Sequence, residues 1–238
     1  MSSIRPWILA ARPKTLFATL APIIVGISLS YKISNTIDWC LTSLIILSAV
    51  LLQIGSNYAN DAYDYLKGAD SQSRKGPKRM VQDGVLSANT VLNVMYIIFT
   101  LSVLIGYFLV KIGGWPIIVI GLSSIIFAII YTGGPYPLAY NGLGEITVFI
   151  FFGIIATVGT VYLQIVNSGF YFNLFNLEIF VAASSVGLLN TAILVVNNLR
   201  DIESDKLADK KTLAVKFGHQ FSCYEFSLLL IINCLCYI

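Results

Sequence analysis

An all-α bundle of membrane-spanning helices is the fold this sequence predicts, and three observations predict it. Of 238 residues, 57% are hydrophobic and only 11% are charged, against about 25% charged in a soluble domain, which leaves too little polar surface to wrap a core of that size. The mean hydropathy is +0.80, so lipid rather than water suits much of the surface. The apolar residues also gather into seven stretches, each near the roughly 20 residues that cross a hydrocarbon layer about 30 Å thick. The same composition excludes a disordered chain, and a net charge of +3 is too small for a nucleic-acid binder. Residues 1–238 read as a single transmembrane domain.

The first stretch, 16–33, follows Arg5, Arg12 and Lys14 and imitates a secretory signal. Equally long apolar runs follow it, so it reads as a retained helix. The next five cover 39–58, 91–112, 115–131, 144–166 and 177–198, and the last runs from Phe221 to Ile238. Pro22 and Pro116, near span starts, are compatible with helices because neighbouring spans satisfy the freed backbone groups. The final span has no polar tail, which reads as a chain cut short. Cys40, Cys223, Cys234 and Cys236 form no CxxC pair and read as small apolar residues.

Charge sets the orientation. With seven spans, the N-terminal segment and the connections after spans two, four and six share one side, and that side holds 13 of the 15 Lys and Arg residues. Only Lys32 and Lys111 fall on the other. By the positive-inside rule the 13-residue side is cytoplasmic.

Acids beside membrane helices are costly, so their placement is informative. Eight of the 12 lie in two cytoplasmic stretches: Asp61, Asp64, Asp70 and Asp83, then Asp201, Glu203, Asp205 and Asp209. Both stretches contain Asn-[Asp/Asn]-x-x-Asp, at Asn60 to Asp64 and at Asn197 to Asp201. A spacing of four sets amide and carboxylate on one helix face, and Asp205 extends the second face by another turn. Like charges at that spacing repel unless a cation lies between them, and carboxylate plus amide oxygens select a hard ion such as Mg²⁺. Basic residues flank both groups: Arg74, Lys75, Lys78 and Arg79 by the first, Arg200, Lys206, Lys210 and Lys211 by the second. Acids that hold Mg²⁺ beside cations that hold oxyanions suit a diphosphate, although topology alone accounts for the lysines and arginines.

At these residues the chain resembles the UbiA superfamily of intramembrane prenyltransferases. Asn60, Asp61 and Asp64 match its first motif, NDxxDxxxD, and Asp201 and Asp205 match its second, DxxxD. The last aspartate of the first motif falls on Gly68, with Asp70 two residues later, and the variant NDxxDxxKGxD looks like the branch that prenylates 1,4-dihydroxy-2-naphthoate. Ala11-Arg12-Pro13-Lys14-Thr15, Gly76-Pro77-Lys78-Arg79, Tyr131-Thr132-Gly133-Gly134-Pro135 and Lys211-Thr212-Leu213-Ala214-Val215 agree with that branch. Family members usually have nine spans, which implies that about two are missing here.

The resemblance implies a Mg²⁺-dependent transfer of a polyprenyl or phytyl group from its diphosphate to 1,4-dihydroxy-2-naphthoate, with loss of CO₂, as a step of menaquinone or phylloquinone synthesis. It implies a multi-pass protein of the cell's inner membrane with Asn60, Asp61, Asp64, Asn197, Asp201 and Asp205 at the metal. Asn57, Arg12, Lys14, Lys78, Arg79, Lys211 and Tyr140 are the candidates for binding substrates. Aromatic faces stabilise cations, and Tyr131, beside the Gly133-Gly134-Pro135 turn, joins Asp64 and Asp201 as a catalytic candidate, with Tyr63 as another near a span end. Arg12 and Lys14 are candidates for the naphthoate carboxylate. Two rivals remain open: a related transferase for another aromatic acceptor such as 4-hydroxybenzoate or homogentisate, and an ion-coupled transporter, whose acids belong near mid-span.

Overall fold

The computed structural model describes residues 4–69, 79–171, 173 and 176–236, and their secondary structure is helical throughout. A short helix α1 (Ile4–Ala11) leads into α2 (Leu16–Ser34). Between them Arg12 adopts a left-handed backbone (φ 52°) and Pro13–Thr15 forms a single 3₁₀ turn. A non-glycine residue is uncommon in that conformation; here the Thr15 N–H and hydroxyl both donate to the Arg12 carbonyl, at 2.9 Å. The break turns α1 to lie against α3 (Trp39–Leu66), where Trp7 meets Tyr58 edge to face at 5.7 Å.

Asp38 starts α3 by accepting the Leu41 N–H at 2.9 Å, and that bond holds its carboxyl below the usual range. As an N-cap satisfies an otherwise orphan donor, Asp38→Ala is expected to lower stability by about 1 kcal/mol, read as a lower thermal midpoint in detergent. α3 continues to Leu66, past the expected end near residue 58, so Asn57, Asn60 and Asp64 ride on one unbroken helix. It packs on α4 (Ala88–Gly113) through Gly55: a Cβ there would stand 2.4 Å from the Phe99 ring. Gly114, at φ 69°, makes the tight reversal into α5 (Trp115–Ile130).

The next rod is not uniform. α6 (Gly144–Phe149) passes into a π-helical segment, Ile150–Ile155, and then α7 (Ala156–Asn167). Wide turns of this kind are rare and frequent at functional sites. Here Gly153 lies directly against Gly187 of α8 (Leu177–Arg200). The Asn190 amide of α8 donates to Phe152 O at 3.1 Å and to Ala18 O at 3.2 Å, tying the segment to α8 and α2. A short α9 (Ile202–Leu207) and then α10 (Leu213–Leu235) follow, with Gly218 at φ 86° kinking α10.

All seven apolar stretches return as helices, but the expectation of seven full spans needs correction. Among the described residues five are long and apolar enough to cross a membrane: Ile4–Ser34, Trp39–Leu66, Ala88–Gly113, Gly144–Asn167 and Leu177–Arg200. α5 has 16 residues, about 24 Å of helix, shorter than the hydrocarbon layer. Beyond its kink at Gly218, α10 runs only to Leu235. Lys32, in the last turn of α2, pairs with Glu178 in the first turn of α8, while Asp64 and Asp201 close the opposite ends of α3 and α8.

Candidate active site

The ends of α3 and α8 meet at the mouth of a cavity of about 720 Å³. On α3, Asn57, Asn60 and Asp64 are spaced three and four apart, one stripe of a helix, and all three line it. Asn197, Asp201 and Asp205 line it from α8 and α9, with Arg12, Arg79, Lys210 and Tyr131. Deeper walls are apolar, including Ile23, Leu109, Ile117 and Leu163. Val103, Tyr107, Ile118 and Leu122 line the cavity from α4 and α5 and are among the exposed apolar side chains.

Every cavity acid holds a cation. Asp64, buried, accepts from Arg79 Nη2 at 2.6 Å and from the Tyr140 hydroxyl at 2.9 Å. Arg79, equally buried, reaches the Asn60 carbonyl with Nη1 at 2.7 Å. Arg200 grips Asp201 with two bonds of 2.8 Å, the bidentate geometry that guanidinium and carboxylate favour. Lys210 stands 3.7 Å from Asp205. Thr132 donates to Asn60 Oδ1 at 2.9 Å, and Asn57 donates to Thr15 Oγ1 and the Ala11 carbonyl. These bonds fix the amides before any ligand arrives.

Other candidates stand outside the cavity lining. Asp61 is one residue round the helix from Asn60, so it points behind the stripe. It is buried, and the backbone N–H groups of Met80 and Val81 face its carboxylate without closing a hydrogen bond. Tyr140 supports from behind: its hydroxyl bonds Asp64, while the Lys67 and Lys210 ammonium groups lie 5.0 and 5.5 Å from its ring centre. Burial lowers the Lys67 pKa, with Asp64 opposing. Lys14 is exposed, and Lys211 pairs at 3.6 Å with the exposed Asp209. Tyr63 packs against Gly133. Lys78, Arg74, Lys75 and Asp70 lie outside the described residues.

Three contributors escaped the reading of the motifs. Gln53 sits one turn before Asn57 and bonds Asn57, Thr15 and Thr19, a position that helical spacing would have flagged. Thr132 follows Tyr131 directly. Glu145 is a lone acid opening an apolar run, and its Oε1 accepts from Asn198 at 2.8 Å.

Among the described residues no three His, Cys, Asp or Glu side chains group as a closed metal cage. The donor set nonetheless fits a hard divalent ion. Mg²⁺ is held through one or two carboxylates plus water and substrate phosphates, not by an all-protein cage, and three carboxylates line one cavity here together with the Asn60 and Asn197 amides.

Comparison with known proteins gives one consistent result. The model of the UbiA prenyltransferase family matches residues 19–238. The 1,4-dihydroxy-2-naphthoate octaprenyltransferase of Haemophilus influenzae is 37% identical over 99% of this chain and 76% of its own length. Its namesake from Escherichia coli is 38% identical over 92% and 70%. In three dimensions a UbiA homolog from Archaeoglobus fulgidus, solved with DMAPP and Mg²⁺, superposes with a TM-score of 0.73 at 16% identity, covering 97% of this chain and 76% of that one.

Proposed function

Because the chain belongs to the UbiA prenyltransferase family, we propose that it transfers a polyprenyl group from an allylic diphosphate to 1,4-dihydroxy-2-naphthoate with loss of CO₂; its relatives in H. influenzae and E. coli are named as octaprenyltransferases of that acceptor. One observation carries the reading. Two oxygen-rich helix ends, at Asn60–Asp64 and Asn197–Asp201, share one cavity whose deeper walls are apolar. That is a place for a charged head and a hydrocarbon tail, and acids at helix ends rather than mid-span count against the transporter.

Asp64, Asp201 and Asp205, with the amide oxygens of Asn60 and Asn197, would hold Mg²⁺. When bound, the ion neutralises charge growing on the departing diphosphate. Lys210, Arg12 and Arg79 supply fixed positive charge at the same mouth, which stabilises that charge further. The allylic C–O bond breaks and its electrons leave with the diphosphate. The Tyr131 ring lines the path of the allylic cation, where an aromatic face is attractive. The ring carbon bearing the carboxylate forms the new C–C bond, and the C–CO₂⁻ bond then breaks, returning its electron pair to the ring. Apolar walls keep water from capturing the cation first. Arg12 is the cavity residue suited to the acceptor carboxylate. The positive-inside rule supports a reading in which this chemistry runs on the cytoplasmic face of the cell's inner membrane.

The test is direct. Purified protein in lipid nanodiscs, given octaprenyl diphosphate, the naphthoate and Mg²⁺, should release diphosphate and CO₂ in equal amounts. Chelation should stop turnover and Mg²⁺ should restore it. Equal use of 4-hydroxybenzoate or homogentisate would reject the acceptor assignment, and absence of diphosphate release with every acceptor would reject the reaction.

A further inference from the structure

Glu145 is a buried acid to which the chemistry above gives no part. It opens α6 outside the cavity lining, and its Oε1 accepts from Asn198 Nδ2 at 2.8 Å. Its Oε2 is buried with no hydrogen-bond partner. An unsatisfied buried oxygen is costly, and a group retained at that cost asks for an explanation. If Glu145 served packing alone, a glutamine would fill the same volume without a charge. Asn198, unlike Glu145, lines the cavity.

A carboxylate accepts hydrogen bonds, so Asn198 must turn its NH₂ toward Glu145. Its carboxamide oxygen is then the group left for the cavity. A carboxamide oxygen is an acceptor only, so it pairs with a hydroxyl proton and not with an oxyanion. The diphosphate belongs with Arg79 and Lys210. Gly144, the residue before Glu145, lies against Tyr131: a Cβ there would be 3.2 Å from the Tyr131 hydroxyl. Asn198 and Tyr131 thus meet the same part of the cavity.

We propose that Glu145 is a positioning residue that locks the Asn198 carboxamide with its oxygen toward the cavity, where it accepts a hydrogen bond from a ring hydroxyl of the aromatic acceptor. The inference rests on the prenyl-transfer reading and adds a determinant of acceptor recognition. Second-layer partners that fix the orientation of a ligand-binding group act in this way.

The experiment compares wild type, Glu145→Gln, Glu145→Asp and Asn198→Ala as full chains in nanodiscs. It measures KM for naphthoate, KM for octaprenyl diphosphate, and calorimetric binding of naphthoate without donor. Glutamine presents an NH₂ of its own and frees Asn198 to flip. Glu145→Gln and Asn198→Ala should each raise the acceptor KM about tenfold, the size of one lost hydrogen bond, with the donor KM within about twofold. Glu145→Asp should recover most of the loss. Equal changes in both KM values, or none in the acceptor KM, would overturn the proposal. If wild type binds naphthoate without turning it over, the reaction assignment fails, and the calorimetric comparison still decides the role of Glu145. Absence of naphthoate binding by wild type rejects both.

Discussion

Asp64→Asn is expected to lower product formation at saturating substrates by about a thousandfold, the scale seen when a group that stabilises developing charge is removed. Asp64 stands where three demands meet: it is a metal-ligand candidate, it holds Arg79 at 2.6 Å, and it accepts from Tyr140. Asp64→Ala should add a second penalty. Its partner Arg79 is only 5% exposed, and stranding a buried guanidinium costs about 3–5 kcal/mol. Asp201→Asn should match the activity loss with far less unfolding, because Arg200 is 37% exposed and solvent shares its charge. Melting curves beside turnover separate the two effects. Near-normal turnover in either asparagine variant would refute the shared-cavity mechanism.

Gly153→Ala is expected to act on folding first and on activity only through it. A Cβ at Gly153 would stand 2.5 Å from Gly187 Cα and 2.9 Å from the Ala183 carbonyl oxygen. Both obstacles are backbone, so no side-chain rotation relieves them. Overpacking of this kind costs about 3 kcal/mol, and the displaced π-helical segment carries Phe151 and Phe152, which line the cavity. The variant should melt earlier in detergent and lose activity in proportion. Gly106→Ala is the matched control: nothing lies within 4 Å of its Cβ, so its stability should stay within about 0.5 kcal/mol of wild type. Equal stability of the two variants would show that α8 and the π-helical segment pack less closely than described.

The helical elements were legible because lipid allows a spanning backbone few alternatives, and hydropathy reports where lipid is. The α2 and α8 boundaries fall close to the expected ones for this reason. Hydropathy says nothing where a helix leaves the apolar layer, so the extension of α3 through Asp64 was visible only in the four-residue spacing of its polar groups. The π-helical turn depends on Gly153 meeting Gly187 across two helices, and no local pattern announces that. At the site, Asp64 and Asp201 stood out because acids beside a span are rare. Helical phase, one residue off the Asn57–Asn60–Asp64 stripe, turns Asp61 away from the metal position that the motif gives it. Tyr140 and Lys211 are near the site in sequence terms, yet the fold assigns one to supporting Asp64 and the other to the surface. Glu145 needed the tertiary structure, since its partner Asn198 is 53 positions away.

The exposed apolar cavity residues Val103 and Tyr107 of α4 and Ile118 and Leu122 of α5 bear on product length. A closed pocket measures its guest against an end wall. Apolar side chains of this kind instead hold isoprene units by contact area, which grows with each added unit and singles out none. Under the proposed function, then, the quinone side chain would mirror the donor pool of the host membrane.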